Sequence, residues 1–334
     1  MLQRLTFALV LFFLCSPLWA EPERASVDAD HAYFQRVLAD QVASAKMTVG
    51  IAIKDLVSGE EFLINADDEF AQGSSIRIHI VTELYRQAAA KKLSVDEVRS
   101  FPESARTGGF GVLSHMKKGT VLMSLEDYAV LMIMVNDNSA ANCLTDVVGM
   151  DNVNASLVAQ GTPEIKFQRK AIPRQDIPTN APENVGTPRA VMRSLELIHS
   201  GKVVDRAMSD AILKILALPE VSYFRRSLPP GIAFAGRSGS GRGARCDVGI
   251  VMLKERPYVL CVMVKDLGSG AVGGPNYGKA DNFISEVTRL AQQYFSSKIP
   301  VATDKPKATT GAPEPQAGQA MPSSSTGRTT PPSS

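Results

Sequence analysis

"AQGSSIRIHI", residues 71–80, marks the place where the chain changes period. Upstream of it, "TVGIAIKD" (48–55) alternates as a strand, "VSGE" turns and "EFLINA" returns, the pattern of a β-hairpin. Downstream, from about 70 to 220, the pattern is mostly helical. The stretch itself has the shape of a serine opening a helix, with a cation one turn later. Ser74 and Arg77 are three residues apart and share a helical face. A serine at a helix N-terminus gains from the dipole, which favours an alkoxide and an adjacent oxyanion. Arg77, however, stays charged at physiological pH and accepts no proton.

Working outward, the helical block carries its own punctuation. "SLEDYAVLMIMV" (124–135) opens with Ser124 and Asp127 in capping-box positions, and Leu125, Tyr128, Ala129, Met132 and Ile133 fall on one face. "TPRAVMRSLELIHSG" (187–201) has Thr187 as cap, Pro188 in the first turn and Gly201 as stop. Before the hairpin, Phe34, Val37, Leu38 and Val42 repeat at helical spacing over 29–45. From 231 the period returns to two. "GIAFAG", "CDVGIVML" and "PYVLCVMV" read as three neighbouring strands, followed by a helix with Phe283, Ile284, Val287, Leu290, Ala291 and Tyr294 on one face. Strands from both ends of the chain thus enclose a long helical insert. The expected class is α/β plus α: an antiparallel sheet built from both termini and flanked by helices, with an all-α lobe inserted and a cleft between the lobes as the expected site. The lobes divide at about 21–68 with 222–298, and 69–221.

The ends lie outside this fold. Residues 1–20, "MLQRLTFALVLFFLCSPLWA", place one Arg before a short apolar run and finish at Ala20, as a Sec-type signal peptide cut before Glu21 would. The expectation is a secreted or periplasmic protein with no stable membrane anchor once the signal is removed. Residues 299–334 are dominated by Pro, Ser, Thr and Gly and read as a disordered tail. Between them lies a domain at 21–298. With 44% hydrophobic and 21% charged residues the chain is ordinary for a globular protein, and a net charge of +2 offers no electrostatic case for nucleic acid. An exported chain meets an oxidising compartment, yet the mature part has an odd set of cysteines: Cys143, Cys246 and Cys261. If the last two strands turn at "KERP" (254–257) with Leu253 opposite Tyr258, Cys261 faces Ile250, four residues from Cys246. That is about 13 Å at ~3.3 Å per residue, too far for a disulfide. Buried free thiols are expected.

Several chemistries drop out. His31, His79, His115 and His199 have no His or Cys neighbour at ligand spacing, so neither a metal nor any other cofactor is expected. No G-x-S-x-G elbow is present, and His79, five residues beyond Ser74, points to a different helical face. The glycines at 236–243 do not lead from a strand into a helix as a dinucleotide loop does. Three polar clusters remain: Ser74 with Arg77; Asn136-Asp137-Asn138 at the end of an amphipathic helix; and Arg237-Ser238-Gly239-Ser240 at the end of a strand. A cation on a strand edge can grip a substrate carboxylate, and the Ser240 N–H can supply an oxyanion donor.

In this order, "GSSIRIHI", "MIMVNDNSAANCLTDVVG" and "AGRSGSGRGARCDVGIV" resemble the S-x-x-K, S-D-N and K-T-G segments of the class A β-lactamase and penicillin-recognising serine hydrolase family. The resemblance covers about 30–296 and implies the split sheet and inserted helical lobe. It also implies acyl-enzyme chemistry at Ser74 on a β-lactam or related amide or ester, with Asn138, Asn180, Arg237, Ser238, Gly239 and Ser240 binding substrate. The departures sit where protons move. Arg77 replaces the lysine, a candidate base; Asn136 replaces the serine that relays a proton to the leaving nitrogen; and "RQDIPTN" (174–180) offers Asp176 where the family has the deacylating glutamate. Asp176 is one methylene shorter, so its carboxylate falls about 1.5 Å short. General acid–base help is worth roughly 10²–10⁴-fold, so β-lactamase activity is expected to be feeble. Two alternatives stand beside it: a catalytically impaired binder of β-lactams or peptidoglycan fragments, and a penicillin-binding protein that acylates and deacylates slowly.

Overall fold

The computed structural model describes residues 21–173, 176–178, 180–268 and 274–299, with side chains described from 29 onward. The signal-like segment 1–20, the tail beyond Ile299 and Arg174 of the loop motif lie outside the described residues.

The chain runs α1 (Glu21–Ser44), β1 (Thr48–Asp55), β2 (Glu61–Ile64), β3 (Phe70–Ala71), a 3₁₀ turn (Gly73–Ile76) and α2 (Arg77–Ala89). Next come β4 (Val98–Ser100), β5 (Leu122–Ser124), α3 (Leu125–Met134), α4 (Asn138–Val148), α5 (Met150–Ala159) and β6 (Val185–Gly186). The remainder is α6 (Pro188–His199), α7 (Arg206–Leu216), α8 (Tyr223–Ser227), β7 (Ala233–Gly241), β8 (Ala244–Met252), β9 (Tyr258–Lys265) and α9 (Pro275–Ser297). The main sheet has the order β2-β1-β9-β8-β7, every neighbour antiparallel. The pairing of β1 with β9, from Thr48–Lys265 to Asp55–Tyr258, joins the two ends of the domain. Such a sheet closes only after the helical insert has been traversed.

Period two explains why β9 reads as an unbroken apolar run. Tyr258, Leu260, Val262 and Val264 face one core with Phe34 and Leu38 of α1 and Ile284, Val287 and Phe295 of α9. Val259, Cys261 and Met263 face a second core that continues into the helical lobe through Leu84, Tyr128, Met132 and Leu195. A strand covered on both faces has no polar side to show. At about 1.5–3 kcal/mol per fully buried large apolar side chain, these two cores set the stability of the sheet and fix its place against the helices.

The capping signals operate as expected. Ser124 Oγ accepts from Asp127 N at 3.0 Å while the Asp127 carboxylate accepts from Ser124 N at 3.4 Å, and Thr187 Oγ1 accepts from Ala190 N at 3.2 Å. One register differs. Tyr258 pairs with Val251 rather than Leu253, because a wider turn, with Arg256 N donating to Leu253 O at 3.1 Å and Glu255 at φ +68°, takes up residues assigned to the strands. Cys261 therefore lies opposite Val248, two residues from Cys246 on the same face. Cys143, Cys246 and Cys261 are free and buried.

Candidate functional site

The turn bearing Ser74 is locked to β7 by two glycines. Gly73 has φ +51°, and a Cβ there would lie 2.4 Å from Ser240 O and 2.6 Å from Ser240 N. A Cβ on Gly239 would lie 2.0 Å from Gln72 O. Only bare backbone permits this approach, and it seats the Ser240 peptide against the start of the serine turn. Gln72 is tied down further: its N–H donates to Asn184 O at 2.7 Å, its Nε2 to Val185 O at 2.9 Å, and its carbonyl accepts from Ser75 Oγ at 2.9 Å and Cys246 Sγ at 3.2 Å. Ser74, half-buried, points its hydroxyl at no hydrogen-bond partner among the described residues.

Behind Ser74 lies a polar wall. Arg77 is 3% exposed, and its guanidinium donates to Met132 O at 3.2 Å, Asn136 Oδ1 at 2.5 Å and Asn138 Oδ1 at 2.5 Å. Burial, then the like charge of Arg237, presses its pKa down to about 9, which leaves it cationic at neutral pH. Asn136 reaches this position because α3 ends at Val135 and Asn136 takes φ +59°, a left-handed conformation that asparagine tolerates. Its Oδ1 also accepts from Arg237 Nη2 at 2.6 Å, so one amide oxygen bridges two guanidinium groups. Asp137 caps α4, accepting from Ala140 N at 2.9 Å, and holds the loop above the cleft through Val112 N at 2.6 Å and Leu113 N at 2.9 Å.

Arg237 is not the open carboxylate grip that its strand-edge position suggests. It is 2% exposed, donates to Ile133 O at 2.5 Å and forms a buried ion pair with Glu220. Burial pushes the Glu220 carboxyl up and Arg237 pulls it back. Glu220 also accepts from Ser238 N at 3.1 Å, while Ser238 Oγ donates to Val221 O at 2.8 Å. Glu220 carries no motif, and the only sequence signal for it is an acid inside the apolar run "LALPEVSYF" (216–224). Ser240 Oγ accepts from Arg245, whose guanidinium pairs with Asp281 at 2.6 Å.

Ser74, Arg77, Asn138 and Ser240 line one cavity of about 450 Å³ that runs beneath the 167–177 segment. Asn136, Arg237, Ser238 and Gly239 stand behind its wall, and Asp176 and Asn180 are exposed and do not line it. The loop turns at Pro173, whose carbonyl accepts from Asp176 N at 2.9 Å, and presents Ile172, Pro173 and Ile177 to the cavity. Asp176, whose carboxylate is expected to activate water at Ser74, thus does not line the cavity.

Among the described residues no group of three ligating side chains could hold a metal. Ser194 Oγ and His79 Nδ1 do meet, at 3.4 Å, but both are buried, and burial lowers the His79 pKa to about 4.

Residues 32–295 match the model of the beta-lactamase enzyme family. A beta-lactamase from Sphaerobacter thermophilus DSM 20745 superposes with a TM-score of 0.71 at 26% identity, covering 82% of this chain and 99% of that one. PBP-A superposes with a TM-score of 0.71 at 20% identity, over 79% of this chain and 96% of its own. A beta-lactamase from Chitinophaga pinensis DSM 2588 does so with 0.71 at 21%, over 78% and 98%. Among curated protein sequences none matches at a significant level. With the split sheet, the inserted helices and the serine turn in place, the chain belongs to the beta-lactamase enzyme family.

Proposed function

We propose that this protein forms an acyl-enzyme at Ser74 with a β-lactam or a related amide or ester, and releases it slowly. The observation that carries the reading is the unengaged Ser74 hydroxyl, opening on the cavity beside the Ser240 peptide. In the acylation step Ser74 Oγ bonds to the carbonyl carbon, the carbon–nitrogen bond breaks, and the serine proton passes through water to the leaving nitrogen. No neutral base stands in the wall, since Arg77 remains charged and is occupied by Met132, Asn136 and Asn138. Loss of such a base costs roughly 10²–10⁴-fold. The second half-reaction needs an activated water, and Asp176 is exposed and does not line the cavity. An acyl-enzyme with penicillin G has been captured in a mutant of PBP-A, a neighbour of the same fold, which supports penicillin as the probe. The apolar run before Glu21 supports export to the periplasm or beyond.

The test is intact-protein mass spectrometry of the mature chain with a penicillin, alongside Ser74→Ala. The expected result is a Ser74-dependent adduct that builds slowly and persists. Rapid loss of the adduct would overturn slow release. No adduct at high penicillin concentration would leave the second reading, a non-catalytic binder of β-lactams or peptidoglycan fragments, which the occupied Arg77 favours.

A further inference from the structure

We propose that the cavity under Ser74 is an acyl-chain pocket, and that the substrate or ligand carries an aliphatic acyl group with its carbonyl at Ser74. The inference deepens the serine acyl-enzyme reading and rests on it for its covalent arm alone.

Polar side chains do line the cavity, but their hydrogen-bonding groups are turned to the protein. Arg77 donates to Asn136 Oδ1 and to Asn138 Oδ1, and Asn138 Nδ2 donates to Gly108 O at 3.0 Å. Thr145 Oγ1 donates to Ala141 O at 2.8 Å. Arg169 pairs with Glu183 at 2.8 Å, and Asn184 Oδ1 accepts from Gln168 N at 2.7 Å and Arg169 N at 3.0 Å. Arg242 donates to Pro178 O at 2.9 Å, tying the β7–β8 turn to the loop across the cavity. The rest of the lining is largely hydrocarbon, from Ile76, Ile80, Ala141, Phe167, Ile172 and Ile177. Among the described lining side chains, the Ser74 hydroxyl is the polar group with no hydrogen bond to the protein. A ligand that suits such a space has one polar head at Ser74 and the Ser240 peptide, and an apolar body beyond it.

The rim repeats the message. Phe110 is 64% exposed and lines the mouth, and its carbonyl accepts from Asn138 N at 3.0 Å. An exposed aromatic ring at the mouth offers apolar surface to an arriving ligand. Ile172, Pro173 and Ile177 line the chamber, and Asp176 is exposed and does not line it.

For an ester substrate, Ser74 Oγ bonds to the acyl carbon, the bond from that carbon to the alcohol oxygen breaks, and the serine proton leaves with the alcohol through water.

The experiment measures binding of the saturated carboxylates from butyrate to dodecanoate to the full mature chain by calorimetry. Each added methylene should tighten binding about fourfold until the chamber is full. Ile177→Asp, a half-buried loop position that places a charge in the wall, should flatten the series. Ala141→Phe, where it folds, should bring the plateau to a shorter chain. Acylation of Ser74 by the matching p-nitrophenyl esters, read by mass, should follow the same chain-length order. A flat binding series in the unmodified protein, or an unchanged slope in Ile177→Asp, would overturn the pocket even if penicillin acylates Ser74. A steep series without any acylation would keep the pocket and sink the serine acyl-enzyme reading.

Discussion

The two walls around Ser74 serve opposite ends. Behind the serine, Glu220, Arg237, Asn136, Arg77 and Asn138 form a continuous chain of charge-assisted hydrogen bonds in a region sealed from water. Beneath it, the 167–177 segment and α2 enclose a cavity whose open surface is largely hydrocarbon. The positions expected to move protons fall on both walls. In the first, the ionic groups pair with one another. In the second, Asp176 is exposed and does not line the cavity. Chemical residue types at motif positions therefore say little until their partners are known. A buried cation bonded to carbonyl and amide oxygens is a brace, and an exposed carboxylate is solvated surface.

The strongest way to break the comparison is to cut the polar wall at its only buried acid contact with Arg237. Glu220→Ala strands that guanidinium in the interior, and removal of one partner of a buried pair costs about 3–5 kcal/mol. Urea unfolding of the variant should show this loss. An unchanged midpoint would mean that Arg237 is not held as an internal cross-brace.

A slightly smaller effect comes from the same helix as Arg77. His79 is buried with Nε2 unpartnered, and its pKa falls from 6.5 to about 4 on folding. A depressed folded value means that the unfolded chain binds the proton first as pH falls. The His79 contribution is complete above 6.5 and is lost as pH drops toward 4, amounting to about 3 kcal/mol. His79→Leu should remove that part of the acid limb in unfolding curves collected across this range. Parallel curves for the two proteins would contradict a neutral, buried imidazole.

The outline of the fold was legible because it rests on period. The switch at 71–80, the capping box at Ser124 and the return to alternation after 231 all reflect backbone geometry that local sequence controls. The register of β8 with β9 was not, since the turn at 253–256 uses a left-handed Glu255, which composition does not announce. The site was legible in part. Ser74, Asn138 and Ser240 do share a cavity, because the glycines at 73 and 239 force the turn and the strand together. Arg237 was misread because its partner, Glu220, belongs to no motif, and Asp176 because spacing along a loop does not fix which side a side chain takes.

Arg77→Lys sharpens the comparison at the polar wall. A lysine keeps the charge near Asn136 but has a titratable ammonium that burial can bring toward neutrality. Acylation of Ser74 by penicillin should rise by about 100-fold, measured as the rate of adduct formation. A rate no higher than in the unmodified protein would show that the polar wall, rather than the missing base, limits the serine.

The smallest expected effect is the most discriminating. Asp176 is exposed, its backbone N–H is held by Pro173, and its neighbours Pro173 and Ile177 occupy the cavity wall that its carboxylate would have to enter. A carboxylate acts on a water only within hydrogen-bond reach of it. Ile177, half-buried on that wall, opposes any rearrangement that exposes it by about 25 cal/mol for each Å² of apolar surface. Asp176→Ala should therefore leave the decay of the Ser74 adduct unchanged within about twofold, a far smaller change than removal of a working general base produces. A decay slowed by a hundredfold would show that the loop turns over during the reaction, brings its acid to Ser74 and closes the apolar chamber as it does so.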